Sequence, residues 1–181
     1  MDAALARLVI LRGNCASGKT TLARELQLAL GRGTANIGQD HFRRVVLREH
    51  DIPGGDNIGL IANTVHYCLG LDHHVVLEGI LISDHYGPML RHLVDIHPGP
   101  SHVFYLDVPL EETLRRHEDR PLRAAIPPDK LREWYVPSDV LGSPGEVVID
   151  GSASLDEILR FVSVQIGPVA PRKERDAARF L

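Results

Sequence analysis

Residues 13 to 20 read Gly13-Asn14-Cys15-Ala16-Ser17-Gly18-Lys19-Thr20, a complete G-x-x-x-x-G-K-T phosphate-binding loop. Backbone N–H groups of such a loop wrap the phosphates of a nucleoside triphosphate. Lys19 adds a mobile cation for the outer phosphates, and the Thr20 hydroxyl is a ligand for Mg²⁺. Gly13 is expected to permit the turn leaving a strand, and Gly18 to let phosphate approach without an intervening Cβ. Further on, Asp40-His41-Phe42-Arg43 forms a D-x-x-R pair that shares one face of a helix. Asp40 could take the proton of a substrate hydroxyl as it attacks a γ-phosphate, while Arg43 binds an anionic or hydroxylated group. Away from a phosphate loop, the pair would read as a capping aspartate and a solvated arginine.

Glu78 ends an apolar run and could hold Mg²⁺ through water or orient substrate; the plainer alternative is an ion pair with Arg43 or another arginine. Of the downstream arginines, Arg116 and Arg120 are four apart and could reach a transferring phosphoryl group from a lid. Arg115 and Arg123 read instead as solvated charges, balanced by Glu111, Glu112, Glu118 and Asp119. The ten histidines show no metal-ligand spacing, and only His41 and His85 are placed where they could face substrate. Trp134 and Tyr135 read as packing of a lid-side helix, with stacking on substrate or base as the alternative.

The elements that must position these groups alternate. Apolar runs over 7–12, 34–38, 74–79, 102–108 and 146–149 predict strands. Helical spacing is expected over 19–30, in a helix capped by Asp40, and over 58–71, 83–97, 109–119, 128–134 and 154–166. Ser154 and Glu157 form a capping box for the last helix, and Gly31 ends the first. Strands and helices at crossover spacing predict an α/β fold, three layers with a five-stranded parallel sheet and a small lid at about 115–130. One domain over 1–167 with a tail at 168–181 is expected. Ligands in such sheets sit beyond the C-terminal strand ends, which gathers the phosphate loop, Asp40, Glu78 and the segment after Val108.

The chain has 181 residues, 44% hydrophobic and 24% charged, an ordinary composition for one globular domain. No apolar run would span a bilayer, and the N-terminus lacks the pattern of a signal peptide, so a cytoplasmic protein without membrane attachment is expected. A net charge of −4 disfavours an extended nucleic-acid surface. Cys15 and Cys68 make neither a disulfide framework nor a metal site.

Taken together, the chain resembles a small P-loop kinase of the adenylate-kinase-like superfamily. The nearest likeness is to polynucleotide kinases, zeta-toxin-like kinases and chloramphenicol phosphotransferase. The motifs that carry it are Gly13 to Thr21, the 37–44 segment around Asp40 and Arg43, and Asp107-Val108-Pro109 with Arg116 and Arg120. The run from Leu131 to Tyr135 completes the series. The resemblance implies a base at Asp40, a substrate-holding Arg43, lid arginines at Arg116 and Arg120, and an adenine-contacting loop around Gly151. It departs at Glu78, where the polynucleotide kinases tend to have aspartate, and at residues 53–59, where Asp56 and Asn57 become candidate hydroxyl-binding groups. The expectation is an ATP- and Mg²⁺-dependent phosphotransferase acting on a hydroxyl of a small molecule. The alternatives are a 5′-hydroxyl polynucleotide kinase and a nucleotide-binding regulatory ATPase.

Overall fold

The structure is a computed structural model that describes residues 5–118 and 126–169. Its centre is a sheet of five parallel strands, β1 (Leu8–Gly13), β2 (Thr34–Gly38), β3 (His74–Glu78), β4 (Ser101–Asp107) and β5 (Val147–Asp150), in the order β2-β3-β1-β4-β5. Alternation along β1 explains the three layers. Leu8 and Ile10 face α3 (Asp56–Gly70) and α4 (Ser83–Ile96), packing with Ile61, Val65, Tyr86, Leu90 and Leu93. Val9 and Leu11 point the other way, to α1 (Lys19–Leu30) and α7 (Leu155–Ile166), against Leu22, Leu26, Ile158 and Val162. All four β1 side chains are fully buried, each stabilising the fold by about 1.5–3 kcal/mol. The expected three-layer α/β fold with a five-stranded parallel sheet is the fold observed.

Helix ends follow their local chemistry. Gly31 closes α1 at φ 83°, and Ser154 with Glu157 makes the reciprocal capping box at the start of α7. Helices α5 (Leu110–Glu118) and α6 (Pro128–Trp134) flank the far end of the sheet. Among the described residues no helix is long and apolar enough to cross a membrane.

Two sequence expectations need correction. Asp40 does not cap a helix: α2 (Gln39–His41) begins one residue earlier, with Gly38 at the N-cap, and runs into a π-helical segment, Phe42–Leu47. The wide π turn is rare and often accompanies functional sites. The helix placed at 58–71 starts at Asp56, so Asp56 and Asn57 lie in its first turn, not in a loop. Asn57 is drawn inward by Glu49, whose Oε1 accepts from its backbone N at 2.6 Å and from its Nδ2 at 2.5 Å.

Candidate active site

The phosphate loop leaves the central strand and enters α1. Gly13 has φ 146°, and a Cβ there would stand 2.5 Å from the Leu106 carbonyl oxygen, so both conformation and space demand glycine. Gly18 sits at φ 95°, yet a Cβ would meet no protein atom within 4 Å; its requirement in the chain itself is conformational. Lys19 is buried and folds back over the loop, its Nζ donating to Asn14 O at 2.7 Å and Ser17 Oγ at 3.0 Å.

Beside the loop, the Thr20 hydroxyl lies 3.2 Å from each oxygen of Glu78. Glu78 is buried at the end of β3, where a Cβ on Gly38 would come within 3.0 Å of Oε1. The glycine on the neighbouring strand thus leaves the carboxylate its place. A hydroxyl and a carboxylate so close form a hard oxygen pair that fits Mg²⁺. Arg43, one of the arginines considered as a partner for Glu78, reaches Asp40, Asp51 and the Glu49 carbonyl.

One cleft joins these groups to the D-x-x-R segment. Its walls include Cys15, Lys19, Thr20, Gln39, Asp40, Arg44, Glu78, Ile80 and Trp134. Asp40 Oδ1 accepts from Arg43 Nη2 at 3.0 Å and from Arg44 Nε at 3.1 Å. With 57% of its side chain exposed, the carboxylate stays accessible from the cleft. Of the two arginines, Arg44 lines the cleft, whereas Arg43 is only 13% exposed and turns toward Asp51 and the Glu49 carbonyl. Trp134 borders this cleft and also lies beside Leu131 and Tyr135.

Behind Gln39 lies a buried polar network. Gln39 Nε2 donates to Tyr86 Oη at 2.8 Å and lies 3.2 Å from Asp51 Oδ2. Tyr86 Oη in turn stands 2.8 Å from Asp51 Oδ1 and 2.9 Å from Asn57 Oδ1. Burial raises the Tyr86 pKa above the usual tyrosine range, so it remains a neutral hydrogen-bonding hub. His85 also faces Asp51, at 3.5 Å, and Asn57 is fully buried; neither lines the cleft. Gly79 permits the network's close packing, since a Cβ there would stand 2.6 Å from that of Gln39. Tyr86→Phe should cost about 1–3 kcal/mol by leaving buried polar groups unpaired. Urea unfolding with an unchanged m-value would register that loss.

On the other side of the loop is a second cavity of about 390 Å³, lined by Ser17, Gly18, Thr21, Glu112, Arg116, Gly151 and Ser152, among others. Arg116 Nη2 donates to the Gly151 carbonyl at 2.8 Å, and its Nε to Glu112 at 2.7 Å. The structure therefore brings Arg116, Gly151 and Thr21 together, while Arg120 lies outside the described residues. Hydrogen bonds from Arg115 and Arg116 hold the Glu112 pKa down at about 2, below the 4.5 of a free glutamate. Its contribution to stability is complete above pH 4.5 and is lost as pH falls toward 2. Glu112→Gln should accordingly flatten the pH dependence of the urea midpoint within that acid window.

Sequence reasoning missed Arg12 and the anchoring role of Asn14. Arg12 is fully buried, its guanidinium bound to Asp139, Glu146 and the Leu81 carbonyl. Asn14 clasps Val136, donating to its carbonyl at 2.8 Å and accepting from its N at 3.0 Å. The available signal was an arginine inside an apolar strand, a charge that cannot be buried alone.

No protein-family model matches the chain, and no curated protein matches it. Solved structures do. A Chloroflexus aurantiacus protein provisionally assigned as a kinase aligns with TM-score 0.69 at 20% identity, over 92% of this chain and 98% of its own. A Sinorhizobium meliloti gluconokinase aligns with TM-score 0.62 at 17% identity, over 87% and 89%. Mycobacterium tuberculosis APS kinase, solved with AMPPNP and APS, aligns with TM-score 0.65 at 16% identity, over 88% and 96%. The chain has the fold of these small P-loop kinases.

Proposed function

We propose that the protein is an ATP- and Mg²⁺-dependent phosphotransferase that moves a γ-phosphate to a hydroxyl of a small-molecule acceptor. The observation that carries this reading is one cleft in which Lys19, the Thr20–Glu78 oxygen pair and Asp40 converge. A phosphate loop alone supports nucleotide binding; a carboxylate facing the same cleft supports a second, proton-bearing substrate. The structural neighbours named as kinases support the donor half, among them one that binds AMPPNP, an ATP analogue.

In this reading the loop amides from Gly13 to Thr20 cradle the phosphates, and the cavity between Arg116 and Gly151 takes the nucleoside. Thr20 and, through water, Glu78 hold Mg²⁺, which when bound neutralises charge on the phosphates. Lys19 leaves its loop contacts for the outer phosphates. Arg43 and Arg44 fix Asp40 through Oδ1, and Oδ2 takes the proton of the acceptor hydroxyl. Arg44 and Trp134 form the acceptor wall, so they replace Asn57 as the groups in reach of substrate. Asp56 stays an exposed candidate in the first turn of α3.

The deciding experiment is an acceptor screen with labelled ATP and Mg²⁺ across metabolites, nucleosides, aminoglycosides and 5′-hydroxyl oligonucleotides. Labelled product from a small alcohol supports the proposal. Product only from oligonucleotides, with affinity falling steeply in salt, would make the protein a polynucleotide kinase. Hydrolysis that no acceptor outcompetes would leave a regulatory ATPase.

A further inference from the structure

Arg12 immediately precedes the phosphate loop but points away from it, toward the chain segments that form the acceptor wall. Its Nε and Nη2 both donate to the Leu81 carbonyl, at 3.1 and 3.0 Å. Leu81 is fully buried and held at φ 46°, a conformation a leucine rarely adopts. It ends the short turn that carries Glu78, Gly79 and Ile80 along the cleft. A strained turn persists only where its surroundings over-determine it, and here the guanidinium grips the strained residue directly.

The other guanidinium bonds run to the segment after α6. Nη2 meets Asp139 at 2.8 Å and Nη1 meets Glu146 at 3.2 Å. Asp139 also accepts from Ser83 N and Oγ at the start of α4, and Glu146 accepts from Leu141 N and Gly142 N. The same segment is fastened again where Asn14 clasps Val136, two residues beyond Trp134. The ring of Tyr105 lies 5.7 Å beneath the guanidinium and completes its burial. Ile80 and Trp134 both line the cleft, and each adjoins a segment that Arg12 holds, at Leu81 and at Asp139, the second fastened further by Asn14.

We infer that Arg12 is a positioning residue: it sets the spacing between the phosphate loop and the two acceptor walls by holding the 79–82 turn and the 135–146 segment at once. That these walls serve an acceptor rests on the function proposed above; the geometric linkage does not. Simple neutralisation of two buried carboxylates would need a cation but not the paired bonds to Leu81, and this separates the two accounts.

Trp134 is the chain's single tryptophan, so its fluorescence reports on one cleft wall without any acceptor. In Arg12→Lys the charge beside Asp139 and Glu146 remains while the fork to Leu81 is lost. Acrylamide quenching of Trp134 should rise about twofold or more as the wall loosens. MgAMPPNP affinity, read by titration, should stay within about threefold. The triple variant Arg12→Met, Asp139→Asn, Glu146→Gln carries no buried charge at this site and tests the same point should the lysine variant fail to fold. It should show the same increase in quenching. Unaltered quenching in either folded variant would overturn the inference and reduce Arg12 to a counter-ion. Failure of the kinase reading would appear separately, as an acceptor screen in which the unsubstituted protein gives no labelled product.

Discussion

Asp40→Asn should lower phosphoryl transfer to an acceptor by about 10²–10⁴-fold while leaving MgATP affinity within about threefold. The amide keeps the size of the carboxylate and can still accept from Arg43 and Arg44 through its oxygen. It cannot take a proton from a hydroxyl. Its exposure means that neither burial nor core packing is disturbed, so the loss should fall on kcat with the fold intact. Steady-state kinetics on the acceptor identified by the screen, with nucleotide titration beside it, would measure this. Retained transfer in a variant that still binds MgATP would remove Asp40 from the mechanism.

Lys19→Met should reduce transfer by about 10²–10³-fold, with hydrolysis falling in parallel. Lys19 supplies charge for the outer phosphates in the proposed reaction, and that stabilisation is greatest when charge moves in the transition state. The same amine bonds Asn14 O and Ser17 Oγ, so the substitution also frees the loop from an internal contact. Nucleotide affinity is therefore expected to weaken as well, which distinguishes this variant from Asp40→Asn. Unchanged hydrolysis in Lys19→Met would argue that nucleotide binds elsewhere.

The strand, loop and helix around Gly13 to Thr20 were legible because their signals are local. A strand, a glycine loop and an amphipathic helix are contiguous in sequence, and the sheet rule then gathered Asp40 and Glu78 beside them. What escaped was long-range. Arg12 finds Asp139 across 127 residues and Glu146 across 134, and nothing near position 12 indicates which carboxylates those are. The exchange of Arg43 for Arg44 on the cleft wall accompanies a π turn, which α-helical spacing does not anticipate. Asn57 looked like a loop amide near an acceptor, but Glu49 and Tyr86 claim it for the interior. Local pattern found the phosphate-loop motif; tertiary pairing decided which groups line the cleft beside it.

The sheet order has a consequence in time. β1 lies between β3 and β4, with Leu8 paired to Val75 on one side and Ser101 on the other. During synthesis the phosphate-loop strand emerges before both neighbours and waits on the order of ten seconds for them to leave the ribosome. Throughout that interval its apolar run lacks both neighbouring strands, and Gly13 lacks the Leu106 carbonyl it later packs against. A strand made ahead of both its neighbours is thus completed only after them, and the loop that follows it cannot settle against Leu106 until β4 is in place.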